Sequence, residues 1–324
     1  MYDLSVLGNS PVDVLTYVEE SVLAKYNLNK GDFNPVSEEV FTEMSNTFKF
    51  EGMESGGSTA NTAWTMGVLG SKVHFIGHIG SDAAGHHFYK DMQSASVDMS
   101  SPDSRALTME IFVLITPDGE RTFASRGVTA PLTPTMIDAE KIAQSGWLLI
   151  EGYTLLDQLD AVKEAVNIAI KQNTKIALTV SAAFAIQIAF KHIIEDILPY
   201  TDLLIANDEE ISILLELIDS LENKDQRRAV SKMLNNMAKI ITHSEQGATF
   251  TQLDQDMFLA TTKITDIMDA TGAGDAFVAG FLYSYIKGDT KKGLQIGNRL
   301  GGKVIQQLGG RLKDTSFIQE AASA

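Results

Sequence analysis

The chain has 324 residues, 44% of them hydrophobic and 21% charged, which suits one large α/β domain or two medium domains. Its formal net charge of −16 disfavours nucleic acid and anionic membranes, so we expect neither as a partner. Cysteine is absent, which excludes disulfides, thiolate metal sites and a cysteine nucleophile. No apolar run reaches the ~18 residues of a membrane span, and the N-terminus lacks a signal-peptide pattern. We therefore expect a cytoplasmic protein.

The first predicted element is a short buried strand over residues 4–9 that ends at a turn. Asn9 and Asp13 lie just past it, where ligands bind at the carboxyl ends of strands in open α/β sheets. Turn formation alone is the alternative, because Asn, Pro and Asp are all turn formers. Helices are predicted over 20–26 and 37–48, and we assign this stretch to a small accessory layer or lid.

A Gly-Gly pair at residues 56 and 57 precedes the next predicted helix, which ends near Gly70. Two glycines there permit close approach of a ligand to the backbone. Asn61 falls in the first turn of that helix and faces the loop. The alternative is a tight turn with a polar residue near the helix cap. A strand over 73–76 and a helix over about 86–95 follow.

Residues 107–124 predict a β-hairpin, with an apolar strand over 107–115, a turn over 116–120 and a returning strand over 121–124. Such a pair suits a lid or a sheet edge. From residue 147 onward, predicted strands at 147–151, 175–179, 202–206 and 239–242 alternate with helices, one of which is predicted over 184–197. This alternation predicts right-handed βαβ units and a mostly parallel sheet covered by helices on both faces.

Asn207 directly follows one of these strands and opens a helix, with Glu210 three positions on. This spacing is typical of a capping box, which stabilises a helix by ~1 kcal/mol. The same spacing places both side chains on one helix face, where an amide and a carboxylate can hold the water shell of Mg²⁺. The two interpretations are compatible.

The segment from Asp269 to Asp275 precedes an apolar run that is typical of a helix. Glycines at a helix start expose backbone N–H groups and the positive end of the helix dipole, which together bind anions. Asp275 is a carboxylate placed where an anion should bind. This placement is explained if Asp275 is a base that takes a proton from a hydroxyl as the hydroxyl attacks phosphorus. The alternative is a plain helix start, because an acid there gains ~0.3–1 kcal/mol from the dipole.

These segments, in this order, resemble the ribokinase-like (PfkB) family of sugar and nucleoside kinases over nearly the whole chain, and adenosine-kinase-like members in particular. The N-terminal signature is Gly56-Gly57-Ser58-Thr59-Ala60-Asn61, and the C-terminal one is Asp269-Ala270-Thr271-Gly272-Ala273-Gly274-Asp275. The resemblance implies a three-layer α/β fold with a mostly parallel central sheet and a small β lid. It implies one domain over 1–324, with the lid formed by parts of about 10–55 and 97–126.

The resemblance also implies the residues that act on the acceptor. Asp275 is the base, and the N–H groups of Gly272, Ala273 and Gly274 form an anion hole for the transferred phosphoryl group. The residues expected to hold acceptor hydroxyls are Asp13, Gly57 and Asn61, with Asn9 as a secondary candidate.

On the nucleotide side, the resemblance assigns Asn207 and Glu210 to Mg²⁺ and phosphate, with the metal held through water. Thr242 and Gly247 border the nucleotide, Asn298 lies beside its base, and Ser244 stands where members often have glycine. Asp269 and Thr271 occupy positions that bind a monovalent cation such as K⁺ in some members.

The function implied is transfer of the γ-phosphoryl group of ATP, with Mg²⁺, to a primary hydroxyl of a nucleoside, adenosine first, or of a sugar. The small-molecule acceptor is the expected partner, and the protein is a monomer or a homodimer. Alternatives are a hexose or ketosugar kinase of the fructose or 2-keto-3-deoxygluconate type, and a non-catalytic nucleoside or sugar sensor. A nicotinamide dehydrogenase is disfavoured, because the expected glycine spacing is absent.

Two further sets of side chains are candidates for contacts with a nucleoside or with phosphate. Phe112, Phe123 and Trp64 would suit the apolar surface beside a purine, with core packing as the alternative. Arg121 and Arg126 could reach phosphate from the lid, with a solvated surface position as the alternative.

Overall fold

Apolar segments that alternate with amphipathic helices build a protein with two sheets. The computed structural model describes residues 1–127, 130–253 and 255–323. The strands, in chain order, are β1 (Tyr2–Leu7), β2 (Val12–Tyr17), β3 (Phe33–Pro35), β4 (Gly52–Ser55), β5 (Val73–Ile76), β6 (Asp98–Met99), β7 (Glu110–Ile115), β8 (Arg121–Ser125), β9 (Ser145–Glu151), β10 (Lys175–Thr179), β11 (Leu203–Asn207), β12 (Ala238–Thr242), β13 (Gly247–Gln252) and β14 (Gln255–Ala260). The α-helices are α1 (Glu20–Lys25), α2 (Glu38–Thr47), α3 (Ser58–Val68), α4 (Ala83–Ser94), α5 (Ala139–Ala143), α6 (Thr154–Asp157), α7 (Leu159–Gln172), α8 (Ala183–His192), α9 (Asp208–Asp219), α10 (Lys224–Asn236), α11 (Ala273–Tyr285), α12 (Thr290–Val304) and α13 (Thr315–Ser323).

The larger sheet has nine strands among the described residues, in the order β14-β13-β12-β11-β10-β9-β1-β5-β6. Neighbouring strands from β12 to β6 are parallel, whereas β13 and β14 pair antiparallel. The predicted mostly parallel sheet is therefore confirmed. Because parallel strands end at a common edge, the residues that follow β1, β9, β11 and β12 come together there.

Helices cover both faces of this sheet, as predicted. In β9, Trp147 and Leu149 join the apolar core that contains α3, α4, α11 and α12, while Leu148 and Ile150 join the core that contains α7 to α10. This division follows the two-residue period of a strand, in which successive side chains point to opposite faces. The sheet consequently has a separate apolar core on each side.

A second, smaller sheet has the order β3-β8-β7-β2-β4 across the described residues, and we refer to it as the small sheet. Helices α1 and α2 pack on it, and Phe41 of α2 lies against Phe112 of β7 with ring centroids 4.5 Å apart. Strands β7 and β8 pair antiparallel, which confirms the predicted hairpin. Phe112 is only 1% exposed, so it belongs to this core and is not a surface for a purine.

The segment after β1 differs from its prediction. Residues Val12–Tyr17 form β2 of the small sheet and pair with β7 and β4, where a turn was expected. Asp13 is therefore held on a strand. The turn-forming residues Asn9 and Pro11 conceal this strand in the sequence, because the alternation of buried and more exposed side chains begins only at Val12.

Two other predicted elements are shorter than expected. The strand expected from residue 107 begins at Glu110, because the backbone N–H and hydroxyl of Thr108 bind the Asp82 carboxylate instead of a strand partner. The helix expected over 184–197 ends at His192 and continues as a π turn over Ile193–Ile197. Within the described ranges, no helix combines the length and apolar character needed to cross a bilayer.

Candidate active site

Two helices, α3 and α11, begin side by side, each directly after a glycine where any side chain would cause strain. Gly57 precedes α3 with φ +92°, and a Cβ there would lie 2.6 Å from the carbonyl oxygen of Asn9. Gly272 precedes α11 with φ +78°, and a Cβ there would lie 2.1 Å from the carbonyl oxygen of Gly310. Backbone strain and close contact both require glycine at these positions. The two N-terminal turns are thereby brought face to face.

Asp275, in the first turn of α11, is held by side chains from the first turn of α3. Its Oδ1 accepts a hydrogen bond from Ser58 Oγ at 2.7 Å, and its Oδ2 accepts one from Asn61 Nδ2 at 2.9 Å. Desolvation raises the pKa of Asp275 from 3.8 to about 6, although these two hydrogen bonds and the charge of Arg311 oppose the rise. A carboxylate with a pKa in this range suits general base catalysis near neutral pH.

A cavity of about 640 Å³ opens in front of Asp275, and we call it the Asp275 cavity. Asp13, Gly57 and Asn61 line it together with Asp275, so these sequence-predicted residues meet in one place. Desolvation and the nearby charge of Glu54 raise the pKa of Asp13 to about 7. Two separate parts of the chain, β2 and α11, thus present carboxylates to one cavity.

Asn9 is not among the residues that line the Asp275 cavity, and its secondary assignment to the acceptor stays a prediction. Its side-chain Oδ1 accepts a hydrogen bond from Gln158 Nε2, and the residue borders a much smaller cavity beside His78. Its backbone N–H donates to Glu151 Oε1 at 2.8 Å. Asn9 acts here through its backbone, which supports the turn against which Gly57 packs.

Glu151, which ends β9, is a buried acid that sequence reasoning did not identify. It is 0% exposed, and its Oε2 accepts hydrogen bonds from Thr59 Oγ1 at 2.6 Å and Thr59 N at 3.0 Å. With the bond from Asn9, this carboxylate joins β1, β9 and the start of α3. Its only sequence signal is an acid at the carboxyl end of a predicted parallel strand.

Arg311 is a second residue that the sequence did not single out. Its Nε donates to Asn61 Oδ1 at 2.7 Å, its Nη1 forms an ion pair with Asp91, and its side chain is 11% exposed. The guanidinium carbon lies 5.8 Å from the Trp64 ring centroid. Because Asn61 binds Arg311 through Oδ1 and Asp275 through Nδ2, its amide orientation is determined. The signal available in the sequence is an arginine directly after the Gly309-Gly310 pair.

Asn207 and Glu210 form the predicted capping box at the start of α9. Asn207 Oδ1 accepts from Glu210 N, and Glu210 Oε2 accepts from Asn207 N, both at 2.9 Å. Glu210 is 8% exposed, and desolvation raises its pKa. Burial, and to a lesser extent the charges of Glu151, Asp275 and Glu210, raise the pKa of Tyr153, which also lines the Asp275 cavity, to about 12.

This donor set fits Mg²⁺ only with help from a bound phosphate. Across the described residues, no cluster of three or more His, Cys, Asp or Glu side chains could hold a metal ion. Mg²⁺ commonly keeps several waters and binds one or two carboxylates plus substrate phosphates. Glu210, with one oxygen engaged at the helix cap, is compatible with that role.

Asn298 lines a second cavity of about 570 Å³, between β14 and α12, which we call the Asn298 cavity. Its Nδ2 donates to the carbonyl oxygens of Leu259 and Ala260 at 3.1 and 3.4 Å. The cationic side chains on its lining are Lys292, Arg299 and Lys303, and no acid is among the described residues that line it. In a chain of net charge −16, this is a local environment that suits a polyanion.

Thr242 and Gly247 lie where β12 ends and the antiparallel strand β13 begins, at the carboxyl edge of the parallel strands. Thr242 ends β12 and is in register with Asn207 of β11, and Gly247 begins β13 opposite Ala260. Ser244 adopts φ +50°, a left-handed conformation that favours glycine.

The residues proposed for a monovalent cation do not fit one in this structure. Asp269 Oδ2 forms an ion pair with Arg121 Nη1 at 2.9 Å and accepts from Gly309 N at 3.0 Å, and Oδ1 accepts from Thr271 N at 2.9 Å. The carboxylate is thus already neutralised by a side chain. Both lid arginines are engaged by acids here, Arg121 by Asp269 and Arg126 by Glu38 at 2.6 Å.

Comparisons with known proteins agree with this architecture. The model of the pfkB family of carbohydrate kinases matches residues 23–316. Adenosine kinase of Saccharomyces cerevisiae is 25% identical over 331 residues, with 94% of this chain and 95% of that protein covered. The 5-dehydro-2-deoxygluconokinase of Bacillus licheniformis is 27% identical, with 78% and 81% covered. The crystal structure of adenosine kinase from Sinorhizobium meliloti superposes with a TM-score of 0.83 at 27% identity, over 99% of this chain and 98% of that one.

Proposed function

The chain belongs to the pfkB family of carbohydrate kinases, and we propose that it uses ATP to phosphorylate a primary hydroxyl of a neutral nucleoside, adenosine first. One observation carries this proposal. The Asp275 carboxylate stands at the N-terminal turn of α11 and faces a cavity that Asp13 and Asn61 also line. A base, an anion-binding helix start and groups that bind hydroxyls are what the transfer needs.

In the proposed reaction, Asp275 takes the proton of the attacking hydroxyl, and the N–H groups of Gly272, Ala273 and Gly274 stabilise charge on the transferred group. The Ala273 N–H donates to the Ala270 carbonyl over a long 3.3 Å, a bond that a phosphoryl oxygen would displace. A Cβ at Gly274 would meet no atom within 4 Å, which leaves space in front of the loop. Asp13 and Asn61 orient the acceptor hydroxyls.

ATP is proposed to bind along the Asn298 cavity, where the three cationic side chains offset the negative field of the protein. Thr242 and Gly247 then border the nucleotide, and Asn207 and Glu210 lie toward its phosphates. When bound, Mg²⁺ would neutralise charge that builds up between the phosphates, with Glu210 and Asn207 holding it through water.

The charges of the Asp275 cavity support a neutral acceptor. Its lining has four acids, Asp13, Glu54, Asp91 and Asp275, and two strong cations, Arg311 and Lys313. Arg311 is paired with Asp91, and Lys313 with Glu54 at 3.4 Å. Among the described residues of this lining, no lysine or arginine is therefore left over for the carboxylate of a sugar acid, and an anionic acceptor would be repelled. The kinase of Bacillus licheniformis, which acts on a sugar acid by its name, is a poorer guide to the acceptor than the adenosine kinases.

The size and lining of the cavity support a nucleoside over a free sugar. At about 640 Å³ it exceeds what one pentose needs, and Trp64, Met53 and Leu312 give it an apolar side that suits a base. The small sheet contributes Asp13 and Glu54, so we further propose that it acts as the lid. Its closure over the acceptor would exclude water and limit hydrolysis of ATP.

An acceptor panel read as ADP release tests the proposal. The compounds are adenosine, inosine, guanosine, ribose, fructose and 2-keto-3-deoxygluconate, with a reaction lacking acceptor as the control for ATP hydrolysis. We expect the highest kcat/KM with adenosine and the lowest with the sugar acid. A higher kcat/KM with fructose or ribose would instead assign a sugar kinase. Calorimetric binding of a nucleoside with no ADP formed from any acceptor would indicate a sensor.

A further inference from the structure

Arg121 of β8 connects the small sheet to the loop that begins α11. Its Nη1 lies 2.9 Å from Asp269 Oδ2, and the two side chains are only 18% and 11% exposed. Asp269 also accepts hydrogen bonds from the backbone N–H groups of Thr271 and Gly309. One carboxylate therefore joins the small sheet, the loop before α11 and the segment after α12.

These contacts leave little room for another cation at Asp269. An ionised carboxylate offers about four lone-pair positions, and three donors already occupy Asp269. A second positive ion on the same carboxylate would lie close to the guanidinium and be repelled by it. Burial would raise the pKa of Asp269, but the Thr271 and Gly309 hydrogen bonds and the charge of Arg121 keep it below its ordinary value. The carboxylate is thus ionised and already paired.

We propose that the Arg121 guanidinium takes the place of the monovalent cation in this chain, so that phosphoryl transfer requires no K⁺. The inference rests on the proposed kinase function and on the resemblance by which Asp269 and Thr271 mark a cation position in some relatives. It assigns Arg121 as a positioning residue, since it acts through Asp269 on the loop that carries Gly272.

The route from Arg121 to the anion hole is short and rigid. Asp269 precedes Gly272 by three residues, and it holds the N–H of Gly309, whose neighbour Gly310 packs directly on Gly272. A charge that stabilises Asp269 therefore stabilises both sides of this loop. Because the Arg121 charge is carried by the small sheet, a movement of that sheet is transmitted to the loop before α11. A diffusible ion would not transmit such a movement.

Arg121→Met removes the charge and leaves Asp269 ionised, with space for an ion beside it. The variant should therefore acquire a response to K⁺ that the wild type lacks. Arg105→Met is the matched control, because Arg105 is 85% exposed and pairs with Asp103, away from the loop. Arg121→Lys keeps a positive charge and should, like the wild type, show no response to K⁺.

The test compares KCl with tetramethylammonium chloride at equal ionic strength, by thermal unfolding and by ADP release. The wild type and the Arg105→Met and Arg121→Lys variants should show the same Tm and kcat in both salts. For Arg121→Met, we expect kcat to fall ~10-fold or more in tetramethylammonium chloride and to recover in part in KCl. Its Tm should rise by ~2 °C or more in KCl, as binding to the folded state requires.

A K⁺-specific rise in wild-type Tm or kcat would overturn the inference, as would an Arg121→Met variant with no K⁺-specific change in Tm. The unfolding experiment needs no acceptor, so it decides the cation question even if no compound of the panel yields ADP. If Arg121→Met does not fold, agreement between the wild type and Arg121→Lys in both salts supports the inference, and a K⁺ response in either contradicts it.

Discussion

Replacing Asp275 with asparagine separates the charge of this side chain from its shape. Asparagine has nearly the same volume and can keep a contact with Ser58 and Asn61, which now lie 2.7 and 2.9 Å from the carboxylate. It cannot accept a proton at neutral pH. We therefore expect turnover to fall at least ~10²-fold, while calorimetric binding of the acceptor changes little. In the wild type, kcat/KM should decline as the pH falls through about 6, the pKa of Asp275.

The same substitution should stabilise the fold at higher pH. The folded-state pKa of Asp275 is about 6, above its ordinary value of 3.8, so the ionised form is disfavoured in the folded protein. This penalty is absent at low pH, grows as the pH rises through the interval between these values, and is complete above about 6. A difference of about two pKa units corresponds to ~3 kcal/mol. That is an upper bound, since the carboxylate retains an edge exposed to the cavity.

Urea unfolding at about pH 8 and about pH 4 measures the effect. The free energy of unfolding of Asp275→Asn should exceed that of the wild type by up to ~3 kcal/mol at the higher pH, and the excess should shrink to less than ~1 kcal/mol at the lower pH. Asp160→Asn, on the exposed face of α7, is the control and should show no such difference. Turnover within tenfold of wild type would contradict the assignment of the base. A loss of stability at the higher pH would contradict the account of its desolvation.

Three other substitutions test the parts around Asp275. Gly272→Ala places a Cβ 2.1 Å from the Gly310 carbonyl oxygen at φ +78°, so ADP release should fall ~10-fold or more. Gly119→Ala is the control: its φ is +85° and its added Cβ would meet no atom within 4 Å. This variant isolates the effect of backbone strain and should retain turnover. Glu151→Ala leaves three buried donors without an acceptor, so urea unfolding should show a loss of ~2–4 kcal/mol, and a loss below ~0.5 kcal/mol would refute this role. Asp13→Asn removes a charged acceptor worth ~1.5–3 kcal/mol, so KM for adenosine should rise ~10- to 100-fold with kcat much less affected. An unchanged KM would exclude Asp13 from acceptor binding.

Much of the fold could be predicted from short stretches of sequence. The strands of the large sheet are continuous apolar runs, such as residues 147–150, because both faces of a parallel sheet are covered. The start of α9 followed from the spacing of Asn207 and Glu210, since a capping box is a local interaction. β2 was missed, because its pairing with β7 and β4 depends on segments far away in the chain.

The same distinction between local and distant interactions applies to the residues of the candidate site. Its catalytic side, the glycine-bounded start of α11 with Asp275 in the first turn, is a contiguous motif and could be read directly. Arg311 and Glu151 could not be identified, because their partners lie far from them in the chain: Asn61 is 250 residues from Arg311, and Thr59 is 92 residues from Glu151. The assignment of Asn9 to the acceptor stays a prediction, and in this structure its side-chain oxygen accepts a hydrogen bond from Gln158.

The sequence by itself determined the alternation of strands and helices, the two glycine-led helix starts and the family. These depend on backbone conformation and on the periodicity of apolar residues, which neighbouring residues specify. Only the tertiary structure decided which charges meet: Arg121 with Asp269, Arg311 with Asp91, and Asp13 with Asp275 across one cavity. The physical reason is that electrostatic pairing depends on distance through space, and two charges can be neighbours in the fold at any separation along the chain.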